Sequence, residues 1–198
     1  MISKIYVVGM GVISAIGNSV AETLTSFEMQ RPGLGKLTLF KSIHDLPVGE
    51  VKLSNEALAG KLKLKQIFNR TTMLGIYAAR QAVRDAGLSR QWRTGVSSGT
   101  TVGGMDRSEN FFLCPNWKTT EASKALRDHE CGSITERIAE DIQATDAIVT
   151  INTACSSSVN SIMYATRLIR AGKLDVAVAG GTDSLTRFTI NGFNSLMI

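Results

Sequence analysis

An apolar, strand-like run, Ala147-Ile148-Val149-Thr150-Ile151, leads straight into Thr153-Ala154-Cys155-Ser156-Ser157-Ser158, and a helix-like run from Val159 to Arg170 leads straight out. This junction leaves the chain few options. The strand belongs in a sheet, the helix packs back over that sheet, and the turn between them is sharp and built from small residues. A cysteine on such a turn projects its sulfur outward. It also sits where the helix's unpaired N–H groups and positive dipole end favour a thiolate. The thiolate is the nucleophile, so Cys155 is the candidate catalytic residue. Its rival is a buried structural cysteine, which packs as a small hydrophobe, and the local pattern alone leaves the two readings even.

The same grammar runs through the rest of the chain. Lys4 to Ile13 reads as a buried strand, with Gly9, Gly11 and Gly17 marking turns. Ser19 to Phe27 reads as a short helix capped by Asn18 or Ser19, and Gln30 to Gly60 as irregular. Thr71 to Ala86 is a helix, with Leu74, Ala78, Ala82 and Ala86 on one face and Gly87 as its left-handed stop. Arg93 to Gly99 is a strand that enters the small-residue loop Thr100-Thr101-Val102-Gly103-Gly104. Met105 to Cys131 has the least pattern. Ser133 and Glu136 predict a capping box for a helix over Ser133–Ile142, striped by Ile134, Ile138 and Ile142. In the helix after Cys155, Val159, Ile162, Thr166 and Ile169 share a face, and Gly172 ends it. Leu174 to Ala179 is another buried strand, ending at Gly180-Gly181. Alternating strands and helices predict a layered α/β domain with a mostly parallel, five-stranded sheet between helices.

Length and composition fit one ordinary globular domain: 198 residues, 43% hydrophobic and 20% charged. No apolar run reaches the span of a membrane helix, and the start of the chain reads as a strand rather than a leader, so the expectation is a cytoplasmic protein. Three cysteines, Cys114, Cys131 and Cys155, with no C-x-x-C pair, argue against a disulfide framework. The net charge of +5 is concentrated: Lys61 to Arg93 holds eight basic residues and one acidic residue, Asp85. That patch suits an anionic partner, although a solvated helix face is the blander reading.

Other signals are weak. Gly9-Met10-Gly11 begins like a dinucleotide fingerprint, but Ser14 stands where the third glycine belongs. Asp128-His129-Glu130-Cys131 has metal-ligand chemistry, yet adjacent residues rarely all turn to one ion and no second ligand pair follows. His44 and His129 read as ordinary surface histidines. Lys61-Leu62-Lys63-Leu64-Lys65 lacks the interleaved aromatics of a nucleic-acid arm and fits a protein-docking edge at least as well.

Taken together and in order, several segments resemble the β-ketoacyl-acyl carrier protein synthases, the condensing enzymes of fatty acid and polyketide synthesis. They are Val7 to Gly17, Arg70 with Ala78 to Leu88, Gly95 to Gly99 with Val102-Gly103-Gly104, Thr153 to Ser157, and Ile169 to Asp183. The resemblance spans almost the whole chain and implies that residues 1–198 form the first of two similar thiolase-like α/β halves. It implies that Cys155 accepts an acyl group from the phosphopantetheine thioester of an acyl carrier protein, its backbone N–H serving as one oxyanion donor. Malonyl-carrier protein then decarboxylates and its enolate attacks the acyl thioester. The two catalytic histidines and a lysine of the family belong to a second half, and His44 and His129 match neither histidine motif. The Gly-Pro that usually precedes the nucleophile strand is absent.

The resemblance further implies no metal, no bound cofactor and no nucleic-acid or membrane partner, and a homodimer or heterodimer in the full-length form. The acidic carrier gives the basic patch a partner, with Lys61, Lys63, Lys65 and Arg70 as docking candidates. Alternatives are a thiolase-like coenzyme A acyltransferase and a non-catalytic partner subunit. The place of Cys155 in the half-domain argues against the thiolase, whose family presents its cysteine earlier, and its presence argues against the partner subunit, whose kind typically lacks it.

Overall fold

A computed structural model describes residues 4–88, 91–112 and 119–197. Its centre is a parallel three-stranded sheet in the order β4-β3-β5, where β3 is Thr94–Gly99, β4 Ala147–Ile151 and β5 Val176–Gly181. Ser97 of the middle strand pairs with Val149 on one side and Ala179 on the other. Two-residue strands β1 (Leu34–Gly35) and β2 (Val48–Gly49) form a separate antiparallel pair. Helices α3 (Arg70–Ala86) and α6 (Cys131–Ile142) cover one face of the sheet and α7 (Ser157–Arg170) covers the other. The remaining helices are α1 (Val20–Glu28), α2 (Asn55–Leu62), α4 (Met105–Phe112), α5 (Thr120–Arg127) and α8 (Arg187–Ser195).

Burial explains where these elements form. The first two turns of α3 are buried on all sides: Thr71 to Ile76 lie between α2, α6 and the sheet. Leu58, Met73, Ile76, Val96 and Ile134 are the centre of the apolar core. The predicted end of α3 is present, with Gly87 left-handed at φ 59°. The isoleucine stripe of α6 also faces this core, Ile134 and Ile138 being buried. No described helix is long and apolar enough to cross a membrane.

Several expectations need correcting. Among the described residues the sheet has three strands, not five. The run from Lys4 to Ile13 forms no strand among the described residues, and Tyr6, Val7 and Val8 are exposed. It lies along α3 with its glycine backbone pressed against the helix; a Cβ on Gly9 would sit 2.3 Å from the Ala82 carbonyl oxygen. Asp85 accepts a hydrogen bond from the Met10 N–H at 2.9 Å, and Gln81 Nε2 donates to the Val12 carbonyl at 3.0 Å. The run is thus anchored by side chains of the helix rather than by a strand ladder.

The segment read as irregular, Gln30 to Gly60, holds the first six residues of α2, whose cap, Ser54, accepts from the Ala57 N–H at 3.1 Å. The predicted capping box of α6 is absent. The helix starts two residues earlier, at Cys131, so Ser133 is already inside and its hydroxyl donates to the Glu130 carbonyl at 2.7 Å. In α7 the buried stripe is Ser157, Ser161 and Ala165, while Val159 and Ile162 face outward, 67% and 52% exposed. A small-residue stripe lets this helix lie close on a sheet rich in glycine and serine; the bulkier apolar face would hold it away. Cys114 and Arg90 lie outside the described residues.

Candidate functional site

The carboxyl ends of all three parallel strands meet the start of α7, the position where open α/β sheets usually bind ligands. After β4 the chain passes Asn152 and Thr153, makes a single 3₁₀ turn over Ala154–Ser156 and enters α7. Ala154 carries the strain of this turn: its φ is 53°, a left-handed conformation that costs an L-residue ~1–2 kcal/mol. Cys155 follows it as an exposed free thiol.

A local hydrogen-bond frame holds the turn. The Thr153 N–H donates to Ser157 Oγ at 2.9 Å, and the Ser157 hydroxyl donates to the Ala154 carbonyl at 2.7 Å. Ser156 Oγ donates to the Thr153 carbonyl at 2.8 Å, and Asn160 Nδ2 donates to Thr153 Oγ1 at 2.8 Å. The serines around Cys155 are therefore structural: they fix the turn that presents the sulfur.

The neighbouring strand ends approach so closely that only glycine fits. A Cβ on Gly99 would lie 2.6 Å from the Ser157 carbonyl carbon, and one on Gly181 would lie 2.1 Å from Ser158 Oγ. The Thr182 N–H donates to the Gly99 carbonyl at 2.9 Å, continuing the β3–β5 ladder past its end. Asp183 then clamps the loop after β3. Its Oδ1 accepts from Thr100 Oγ1 at 2.7 Å, from the Thr101 N–H at 2.8 Å and from the Val102 N–H at 3.1 Å. Thr101 Oγ1 donates to the Ala154 carbonyl at 3.3 Å, joining that loop to the strained residue. One carboxylate thus organises the floor beside Cys155. Sequence reasoning noticed Asp183 only as part of a resemblance and gave it no task; its place directly after Gly180-Gly181-Thr182 at a strand end is the signal that was there to read.

Cys131 comes into the neighbourhood as well. Asn152 Nδ2 donates to its sulfur at 3.5 Å, and burial pushes its thiol up from the usual range. His129 is not a surface histidine: half-buried, its Nδ1 lies 2.8 Å from Ser108 Oγ, and its carbonyl accepts from the Gly104 N–H at 3.2 Å. Asp128 pairs with Arg107 at 3.2 Å. These neighbours in sequence therefore turn to different partners, and among the described residues no group of three or more His, Cys, Asp or Glu could hold a metal ion. His44 lies in the loop before β2. No histidine side chain hydrogen-bonds Cys155 among the described residues.

The four basic docking candidates separate into two groups. Lys61, Lys63 and Lys65 are exposed at the end of α2 and in the turn beyond it, where Lys63 is left-handed at φ 52°. Arg70 does not belong with them: it is 7% exposed. Its guanidinium donates to the Val51 carbonyl at 2.6 Å and to the Leu53 carbonyl and Asn55 Oδ1, each at 2.9 Å. Burial pushes its pKa down, opposed by Asp106 and Glu50. Arg70 ties the 51–55 segment to α3 and has no face left for a partner.

The family described as Beta-ketoacyl synthase, N-terminal domain, matches residues 3–198. The 3-oxoacyl-[acyl-carrier-protein] synthase 2 of Staphylococcus aureus is 28% identical over 206 aligned positions, covering 97% of this chain and 49% of that protein. The tetracenomycin polyketide synthase ketoacyl synthase alpha subunit of Streptomyces glaucescens is 30% identical over 148, covering 65% of this chain and 33% of that protein. Among solved structures, the ishigamide ketosynthase/chain length factor matches with a TM-score of 0.83 and 25% identity, covering 96% of this chain and 50% of that one. The ketosynthase ApeO in complex with its chain length factor ApeC, from Xenorhabdus doucetiae, matches with a TM-score of 0.78 and 26% identity, again over 96% of this chain and 50% of that one. The chain spans about half the length of the relatives and structures it matches.

Proposed function

Because the chain belongs to the β-ketoacyl synthase family, whose N-terminal domain matches residues 3–198, we propose that it is the nucleophile-bearing half of a 3-oxoacyl-[acyl-carrier-protein] synthase of fatty acid or polyketide synthesis. The observation that carries this reading is Cys155, an exposed thiol held on a strained turn at the start of α7. The thiolate attacks the carbonyl carbon of an acyl thioester, the tetrahedral intermediate collapses, and the carrier's phosphopantetheine sulfur leaves and takes a proton. The N-terminal end of α7 and the Cys155 N–H favour the negative charges that develop on sulfur and oxygen.

In the second step, malonyl-carrier protein loses carbon dioxide. The resulting enolate carbon bonds to the Cys155-bound acyl carbon and expels the cysteine sulfur, which is ready for the next cycle. Groups that stabilise the enolate come from the half of its relatives that this chain does not span; the His129 ring is taken up by Ser108. Lys61, Lys63 and Lys65 meet the acidic carrier protein, and the full enzyme pairs two ketosynthase-type subunits, as the ketosynthase and chain length factor pair in the structural neighbours do. The substrates bring their own phosphopantetheine, so no resident cofactor or metal takes part. The site of work is the cytoplasm, where Cys131 and Cys155 remain free thiols.

The test is acylation of the purified chain by an acyl-carrier protein and by the corresponding acyl-coenzyme A, read by intact mass. A single acyl adduct on Cys155, formed faster from the carrier protein and lost in Cys155→Ala, is the expected result. An adduct elsewhere, or none, overturns the assignment. A clear preference for the coenzyme A thioester would shift the reading to a thiolase-like enzyme.

A further inference from the structure

The peptide group that joins Ala154 to Cys155 has two ends with different fates. Its carbonyl oxygen accepts from the Ser157 N–H, from the Ser157 hydroxyl at 2.7 Å and from Thr101 Oγ1 at 3.3 Å. Its N–H, which belongs to Cys155, donates to nothing among the described residues. No peptide bond among the described residues is cis, and in a planar trans peptide the C=O and N–H point in opposite directions. Whatever fixes the carbonyl therefore aims the N–H. That N–H is the donor an acyl oxygen meets when the sulfur attacks.

The two bonds from Ser157 belong to the same turn and move with it. Thr101 is the brace from outside: among the described residues, every other hydrogen bond to residues 153–156 comes from within 153–160. Thr101 is exposed and sits on a loop, so its hydroxyl holds a carbonyl in place only if the loop is held. Asp183 does this, its Oδ1 accepting from Thr100 Oγ1 and from the N–H groups of Thr101 and Val102. Thr100 is buried; its N–H donates to the Ile151 carbonyl at the end of β4 at 3.2 Å, and its hydroxyl accepts from the Gly103 N–H at 3.2 Å. Behind Asp183, the buried hydroxyls of Ser184 and Thr71 lie 2.9 Å apart. A chain of contacts thus runs from α3 through Ser184, Asp183 and Thr101 to the Ala154 carbonyl.

We infer that Thr101 and Asp183 are positioning residues for acyl transfer: Thr101 aims the Cys155 N–H by holding the far end of its peptide group, and Asp183 acts through Thr101. Neither has to touch the substrate. The inference rests on the reading that Cys155 attacks a carbonyl carbon, because the oxyanion that needs an aimed donor forms only there. Displacement at a saturated carbon forms none, and this difference separates aiming from general damage to the turn.

Two small reagents are compared on the purified full chain, with modification of Cys155 followed by peptide mapping. p-Nitrophenyl acetate transfers its acetyl group to the sulfur and releases p-nitrophenolate, by way of an oxyanion. Iodoacetamide bonds its methylene carbon to the same sulfur and releases iodide, without one. The ratio of the two rates cancels any change in thiolate fraction. Thr101→Val is expected to lower the acetylation-to-alkylation ratio about tenfold, part of the ~100-fold or more that loss of a whole oxyanion donor costs. Thr101→Ser, which keeps the hydroxyl, restores it. Asp183→Ala lowers the ratio too, and Thr101→Val/Asp183→Ala is no lower than the lower single variant, as two residues acting along one chain of contacts require. Asp183→Asn still offers an oxygen to the same donors; it falls between the parent and Asp183→Ala, and it carries the comparison where the alanine variant loses its circular dichroism. The inference is overturned by a parent-like ratio in Thr101→Val, by effects that multiply in the double variant, or by a parent chain that is alkylated at Cys155 but not acetylated there. Neither reagent needs a carrier protein, so failure here and failure of the carrier-protein acylation test are separate events.

Discussion

Ala154 shows how one residue's backbone sets a candidate nucleophile in place. The left-handed alanine is held by a surrounding frame in which the Ser157 hydroxyl and Thr101 both donate to its carbonyl. Replacing it with glycine removes the steric penalty but adds freedom to the unfolded chain, so Ala154→Gly is expected to change stability by no more than ~1 kcal/mol. The β-branched Ala154→Val should lower it by about 1–3 kcal/mol; urea titration of both variants checks the pair. The two described thiols differ in accessibility. In a Cys114→Ala background, iodoacetamide should modify Cys155 in the native protein and Cys131 only after unfolding, because Cys131 is half-buried with its thiol pushed up. Peptide mapping decides it, and early modification of Cys131 would contradict the described burial.

At the scale of elements, two contacts matter most. The first is the approach of α7 to the ends of β3 and β5. Gly99→Ala would force a methyl into the backbone of Ser157, and with no flexible side chain to give way, the start of α7 must shift. The expected loss is about 1–3 kcal/mol, accompanied by slower acylation at Cys155; unchanged stability would mean that the helix sits further from the sheet than described. The second is the strap that spans β1 and β2. Glu50 is 2% exposed, and burial alone would raise its pKa. Hydrogen bonds from Lys52, from the Thr38 hydroxyl and from the N–H groups of Leu39 and Thr38 outweigh burial and hold it at about 2. Because the folded value lies below the usual one of 4.5, the stabilisation is complete above that pH and is lost as pH falls toward about 2. Urea midpoints should therefore drop over this window, and Glu50→Gln should flatten the drop. A midpoint independent of pH there would remove Glu50 from the account.

For the whole molecule, the question is how much of an enzyme one half can be. The chain has the candidate nucleophile, the turn that presents it and an exposed lysine edge, but no histidine side chain hydrogen-bonds Cys155 among the described residues. The expected outcome is slow acylation and no condensation: purified chain with acyl- and malonyl-carrier protein yields no 3-oxoacyl product. Steady product formation that Cys155→Ala abolishes would show that the second half is dispensable. Large apolar side chains are exposed at Val7 and Val8 in the run along α3, at Val159 and Ile162 on α7, and at Phe193 and Leu196 at the end of α8.

By itself, the amino-acid sequence determined the β4–turn–α7 unit, with β4 at Ala147–Ile151 as expected, and the αL stop of α3 at Gly87. These are local properties: side-chain period, capping and glycine's access to positive φ all act within a few residues. Tertiary structure decided the rest. Arg70 looked like a surface cation until three acceptors from residues 51–55 buried it. The buried stripe of α7 went to Ser157, Ser161 and Ala165 rather than to its bulkier residues because Gly99 and Gly181 allow close approach only to small ones. Lys4 to Ile13 has the composition of a strand yet pairs with none among the described residues, since a strand is completed by its neighbour's backbone and not by its own side chains. Asp183 became the clamp of the site through three donors more than eighty residues earlier in the chain, a convergence that only the folded sheet creates.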